Sequence, residues 1–263
     1  MTRAAALAVG VLLLAGCTTT PPDAGVPLPP AGAGFDYQLG GGYALSDGVT
    51  VVARDSTDDP VGGSVYDICY VNGFQTQPGE GEHWLDEHPD LVLRDADGAP
   101  FVDPGWPDEF LLDTSSAAKR ERIAALLGTV VASCLTSGFD AVEIDNLDSY
   151  SRSGGALSLD DAIDLAARYA RVAHDLGLAI AQKNGAGDSA RFRDEVGFDF
   201  AITEECARYD ECADYVDAYG DLVFDIEYDG GYLADACDAV GNAVLRDPDL
   251  TTPDSPEYVF DTC

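Results

Sequence analysis

"AVEIDNLDSY", residues 141–150, is an apolar run that stops on a cluster of acids. Just upstream, "SSAAKRERIAALLGTVVASCLTSG" from Ser115 sets Ile123, Leu126, Leu127, Val130, Val131, Cys134 and Leu135 on one stripe at helical spacing. Gly138 then stands where a helix C-cap belongs. A helix leading straight into a short, nearly continuous apolar strand is the unit of a parallel sheet buried on both faces. Alternation along that strand puts Val142 and Ile144 on its helix-facing side and Glu143 and Asp145 on the other.

The unit recurs. Eight segments read as strands: "FDYQL" 35–39, "VTVVARD" 49–55, "VYDICYVN" 65–72, "EFLLDT" 109–114, "AVEIDN" 141–146, "LAIAQKN" 178–184, "FDFAITEE" 198–205 and "LVFDIEY" 222–228. A second strong helix, "SLDDAIDLAARYARVAHDLGL", opens on Ser158-x-x-Asp161, a capping-box pattern, and ends before Gly177. Eight strands alternating with helices predict a single α/β domain, a (β/α)8 TIM-type barrel over 35–263, with a doubly wound open sheet as the alternative. The first two crossovers are too short for full helices.

In such a barrel, functional side chains cluster at the C-terminal strand ends. Here those ends are Gln38, Asp55, Asn72, Asp113, Asp145-Asn146, Lys183-Asn184, Glu204-Glu205 and Glu227-Tyr228. Carboxylates gathered in one mouth repel one another, so stability does not explain them and a site does. With no Ser/His or Cys/His pairing in view, two chemistries use converging carboxylates: glycoside hydrolysis and divalent-metal binding. The metal reading lacks an Asp-x-Asp-x-Asp-Gly loop, and "DADG" 95–98 reads as a turn. His83, His88 and His174 match no strand end and read as surface residues, so no metal is expected.

The chain carries 48 acidic against 14 basic residues, a formal charge of −34. Such a surface excludes nucleic acid as a partner and attracts cations. It fits either a salt-adapted surface or a cationic substrate. Residues 1–16, "MTRAAALAVGVLLLAG", have the proportions of a signal peptide rather than of a membrane span, and with Cys17 they resemble a bacterial lipoprotein signal. That resemblance implies lipidation of Cys17, a membrane connection through the lipid alone, and an exported protein at the cell surface or on the periplasmic side. Residues 17–34 then read as a Pro/Gly-rich tether. In an exported chain the remaining six cysteines predict three disulfides among fifteen connectivities. Cys206 and Cys212 are near enough to staple one loop, Cys237 with Cys263 would tie down the tail, and Cys69 with Cys134 is what remains.

"GFDAVEIDNLDSY", "AQKN", "ITEECARYDEC" and "FDIEY", with "FDYQL", "ICYVN" and "GWPDEFLLD" upstream, resemble glycoside hydrolase family 114, the endo-α-1,4-polygalactosaminidases. The resemblance spans about residues 35–263. It implies a barrel and endo-cleavage of α-1,4-linked galactosamine or N-acetylgalactosamine polysaccharide without a cofactor. Its catalytic pair falls on Asp145, assigned as nucleophile, and Glu204, assigned as general acid/base. The expected binding shell is Asp36, Tyr37, Gln38, Asp55, Tyr70, Trp106, Asp113, Glu143, Asn146, Asp148, Tyr150, Lys183, Asn184, Glu205, Glu227 and Tyr228. The sequence departs from the family at Thr203-Glu204-Glu205-Cys206, where Asn-Glu-Gln-Cys is usual. Glu205 is therefore a second candidate acid. Alternation with Phe198, Phe200 and Ile202 even places Glu204 on the helix-facing side and Glu205 with polar Asp199 and Thr203. A carbohydrate-binding surface lipoprotein without activity, or a glycosidase for another α-linked polymer, is the competing reading.

Overall fold

A computed structural model describes residues 25–263. The signal segment, Cys17 and the first part of the tether lie outside the described residues. Eight parallel strands follow one another in sequence order: β1 (Gly34–Gln38), β2 (Val49–Asp55), β3 (Tyr66–Asn72), β4 (Ala141–Asp145), β5 (Ala179–Lys183), β6 (Phe200–Glu204), β7 (Val223–Glu227) and β8 (Ala243–Arg246). A ninth strand, β9 (Phe260–Thr262), pairs antiparallel with β8. Helices α1 (Gly81–Glu87) and α2 (Ala117–Ser137) lie between β3 and β4, and α3 (Ser149–Arg152) and α4 (Leu159–Leu176) between β4 and β5. The short α5 (Ser189–Arg191) precedes β6, α6 (Cys212–Tyr219) precedes β7, and α7 (Leu233–Val240) precedes β8. The β1–β2 and β2–β3 connections carry no helix, as their length predicted.

Two strand assignments change. "EFLLDT" 109–114 is not a barrel strand: Phe110, Leu111 and Leu112 bridge antiparallel to Val102, Gln75 and Val92 inside the long β3–β4 excursion. Leu111 and Leu112 are wholly buried there. An apolar run reports burial and not the partner that buries it. The true eighth strand, Ala243–Arg246, is only four residues long and ends on an arginine, which hides it from a hydrophobicity pattern.

That arginine has a structural task. Ladders join β1 through β8 in order, and among the described residues none joins β8 back to β1. The wholly buried Arg246 spans this seam. Its guanidinium donates to the Tyr37 carbonyl, to Asp36 Oδ1 at 3.3 Å, to the Thr251 carbonyl at 2.8 Å and to the Val259 carbonyl at 3.0 Å. Asp36 is also wholly buried, so the pair is a charge-assisted clasp in place of the missing ladder.

The strands separate two apolar layers by alternation. Phe35, Tyr37, Val51, Ala53, Tyr66, Ile68, Ala141, Ala179, Ala181, Phe200, Ile202, Phe224, Ile226 and Val244 fill the barrel interior. Cys69, Val71, Val142, Ile144, Ile180, Ala201, Val223 and Ala243 pack outward among helix residues such as Ile123, Val131, Ala166 and Tyr169. The caps act as the sequence suggests. Ser116 accepts from the Lys119 amide, Ser158 and Asp161 exchange both capping-box bonds, and Gly138 and Gly177 end their helices at φ 105° and 82°, where an L side chain is strained.

Cys69–Cys134 pins β3 to α2, Cys206–Cys212 closes the loop after β6, and Cys237–Cys263 fastens the C-terminus to α7. The described end of the tether is docked: the Pro27 carbonyl accepts from the Tyr66 hydroxyl at 2.7 Å, and Val26 packs against the interior layer.

Candidate active site

The same inward alternation that fills the barrel delivers its last polar residue on each strand to one mouth. At the mouth end of the inward faces stand Tyr37 (β1), Asp55 (β2), Tyr70 (β3), Asp145 (β4), Lys183 (β5), Glu204 (β6) and Tyr228 (just past β7). All seven line a cleft of about 730 Å³. The alternation on β6 is thereby corrected. Phe200 and Ile202 are barrel fillers, not helix contacts, and Glu204 shares their inward side. The large residues of this strand, Phe200 and Ile202, lie inward and the small Ala201 and Thr203 outward, so large apolar size does not mark the helix side.

Lys183 is the centre of the site. Its side chain is almost fully buried, with Nζ 3.2 Å from Glu204 Oε2, 3.8 Å from Asp145 Oδ1 and 3.4 Å from Glu143 Oε1. It donates to the Tyr37 hydroxyl at 3.0 Å and lies over the rings of Tyr37 and Tyr70. Burial alone would discharge this amine, but the carboxylates of Asp145, Glu204 and Glu143 outweigh it and hold its pKa well above the usual value.

Each acid has its own donors. Asp145 Oδ2 accepts from the Tyr70 hydroxyl at 2.6 Å, and Oδ1 from the Asn146 amide at 2.6 Å. Asn146 makes that contact in the left-handed region, φ 62°, braced by Asn72 and Arg152, both at 3.0 Å. Glu204 accepts from the Tyr228 hydroxyl and from Asn184 Nδ2 at 2.8 Å. Burial pushes the Glu204 carboxyl up, but Lys183 and the bonds from Tyr228 and Asn184 prevail and hold it below the usual range. Burial first, then the surrounding acids, keeps Tyr37, Tyr70 and Tyr228 well above the ordinary tyrosine value, so each stays a donor. Since Lys183 touches both acids, the nearer oxygens of Asp145 and Glu204 lie no more than about 7 Å apart. That bound is compatible with the ~5–5.5 Å spacing of retaining glycosidases and also reaches into the ~6.5–9.5 Å inverting range.

Trp106, Asn146, Asp148 and Asn184 also line the cleft. The other expected contacts do not. Asp36 and Gln38 point the other way on β1, holding Tyr43, Arg54 and Arg246 behind the seam. Asp113 stands at the entry to α2, bound by Ser115 and Lys119. Glu143 lies beneath the cleft floor, takes the Tyr37 hydroxyl at 2.7 Å, and is pushed up to about 7, chiefly by burial. Tyr150 bonds Asp188 at 2.7 Å. Glu227, outward on β7, accepts from the Ala207 and Arg208 amides. Glu205 turns away at φ 57° and pairs with Arg208. Thr203, the departure from the family pattern, is buried behind the strand, where it donates to Asp225 at 2.6 Å.

Sequence reasoning missed Gln77, Asp103, Glu109, Arg152 and Asp249, which border the cleft from connections. Their only signal is location in the long β3–β4 excursion or just after a strand end, since loops carry no periodicity.

Three comparisons bear on this arrangement. The family model described as glycoside-hydrolase family GH114 matches residues 17–263. Among solved structures, Aspergillus fumigatus Ega3 in complex with galactosamine superposes with a TM-score of 0.71 at 22% identity, covering 94% of this chain and 100% of that one. The glycoside hydrolase domain of PelA from Pseudomonas aeruginosa, in a variant form, superposes with a TM-score of 0.61 at 13% identity, covering 88% and 99%. No curated protein matches by sequence. With a carboxylate pair bridged by one lysine at the mouth of a barrel, and a family match over nearly the whole length, the chain belongs to glycoside hydrolase family GH114.

Proposed function

We propose that this glycoside hydrolase cleaves α-1,4-linked galactosamine or N-acetylgalactosamine polysaccharide within the chain, by a retaining two-carboxylate mechanism that needs no cofactor. The observation that carries the reading is the Asp145–Lys183–Glu204 bridge on the cleft floor. Asp145 attacks the anomeric carbon as the glycosidic C–O bond breaks, and Glu204 gives its proton to the leaving oxygen. Glu204 then takes a proton from water, whose oxygen displaces Asp145. Lys183 lies beside Asp145 and opposes protonation of Glu204, whose carboxyl is held below the usual range, so cleavage is expected to favour acidic pH.

Ega3 has been solved in complex with galactosamine, which supports an amino sugar as ligand. An excess of carboxylates attracts and concentrates a polymer bearing ammonium groups. The lipoprotein-like residues 1–17 and three disulfides fit a protein anchored outside the cytoplasm by lipid alone. Product analysis on α-linked galactosamine and N-acetylgalactosamine oligomers tests the reading. Internal fragments are expected. Monosaccharide as sole product would refute endo-cleavage, and binding without any product would leave a lectin.

A further inference from the structure

The carboxylates of the cleft differ in what neutralises them. Asp145 and Glu204 share Lys183. Asp103 and Asp148 share Arg152, at 2.8 and 2.7 Å. Asp55 is half-buried at the rim and engaged by Thr57 and Gln77, and Asp249 is open to solvent. Glu109 fits none of these cases. It is only 6% exposed and lines the cleft, and among the described residues no cation reaches it. Its Oε2 accepts from Asn72 Nδ2 at 2.9 Å, while Oε1 has no hydrogen-bond donor there.

A carboxyl this buried, with no cation beside it, is costly to ionise unless a partner arrives from outside. The groups around it agree. Asp103, Asp108 and Asp145 face it with like charge, Asn72 is its one donor, and Arg152 is spent on Asp103 and Asp148. Burial first, then these acids, pushes Glu109 up to about 7. The turn that carries it also carries an aromatic platform: the Glu109 amide donates to the Trp106 carbonyl at 3.0 Å, and the Trp106 side chain, 58% exposed, borders the same cleft.

We propose that the Trp106–Glu109 turn is an amino-sugar subsite, in which the indole packs on the apolar face of a sugar and the Glu109 carboxylate takes that sugar's ammonium. The inference rests on the galactosamine reading above and names the residue that distinguishes an amino from an N-acetylamino group. A cation arriving beside a carboxyl that is partly protonated at neutral pH displaces its proton. Binding of a galactosamine oligomer therefore releases a fraction of a proton at pH 7, the fraction Glu109 carries when free, whereas binding of the N-acetylated oligomer releases none.

Calorimetry on the Glu204→Gln protein, which keeps the acids around Glu109 intact, measures this without turnover, in buffers of differing ionisation enthalpy. Asn72 donates to Glu109, and Glu109→Gln keeps the acceptor for Asn72. Adding Glu109→Gln is expected to weaken galactosamine-oligomer binding about tenfold, equivalent to 1.4 kcal/mol, to abolish proton release and to spare N-acetylgalactosamine oligomers. Equal binding with and without Glu109→Gln, or no proton release in the parent, overturns the subsite and leaves the hydrolase reading standing. If the parent binds neither oligomer and the wild type cleaves neither, the substrate reading fails and the subsite with it. Should Glu109→Gln not fold, the proton release and Trp106→Ala, expected to weaken both oligomers, decide the matter on the parent.

Discussion

Two adjacent glutamates compete for the role of acid/base, and the barrel separates them by a measurable margin. Glu204 lies inward beside Lys183. Glu205 is turned outward by a left-handed backbone and held by Arg208 on the surface. Glu204→Gln removes the carboxyl proposed as acid/base, and general acid–base groups contribute ~10²–10⁴ in rate. The larger end is expected, because the new amide hydrogens would face Tyr228, Asn184 and Lys183, all donors. At ~1.36 kcal/mol per tenfold, that is about 5 kcal/mol of transition-state stabilisation. Glu205→Gln breaks an exposed ion pair, worth ~0.2–1 kcal/mol in such settings, so kcat/KM should fall less than about fivefold. The assay is reducing-end release from α-1,4-galactosamine polymer, with thermal melts to confirm folding. If Glu205→Gln costs more than the Glu204 variant, the inward assignment of β6 fails, and with it the Asp145–Lys183–Glu204 site.

Three further outcomes follow from the same geometry. Lys183→Met leaves a buried acid cluster without its cation and should cost ~3–5 kcal/mol of stability. Glu204, depressed below its unfolded value near 4.5, stabilises above that pH and stops doing so as pH falls through its folded value. Lys183, raised above 10.5, stabilises below that pH and stops as pH rises through its folded value. The urea-measured deficit of Lys183→Met should therefore be widest between those limits and narrow outside them; a deficit flat from pH 3 to 11 would contradict the ion cluster. Arg246→Leu strips the barrel seam of four bonds and strands buried Asp36, so denaturation should show a loss of ~3–5 kcal/mol; under 1 kcal/mol would mean the seam closes without it. Replacing Cys69 and Cys134 by alanine frees a 65-residue loop and should lower stability by ~4 kcal/mol on the chain-entropy model, read by guanidinium unfolding.

The sequence by itself determined the parts that rest on local rules. Helical spacing and caps defined α2 and α4. Strand alternation set Asp145 apart from Val142 and Ile144, and the order of blocks carried the family. Lys183, one of two lysines in the chain, stands at a strand end among the acids. Other features depend on which surface a residue meets. Leu111 and Leu112 look like barrel core, yet they belong to a local sheet in the excursion, because apolar character records burial and not partner. Phe200 and Ile202 look like helix contacts, yet they fill the barrel, because both faces of a parallel strand are apolar. Asp36, Gln38 and Glu227 look like mouth residues, yet a one-residue change of parity sends them behind the sheet. Glu109 and Arg152 come from connections that no periodicity marks. Only closure of the barrel decided that one lysine would answer to three acids, Asp145, Glu204 and Glu143, and that Glu109 would be left, among the described residues, without a cation.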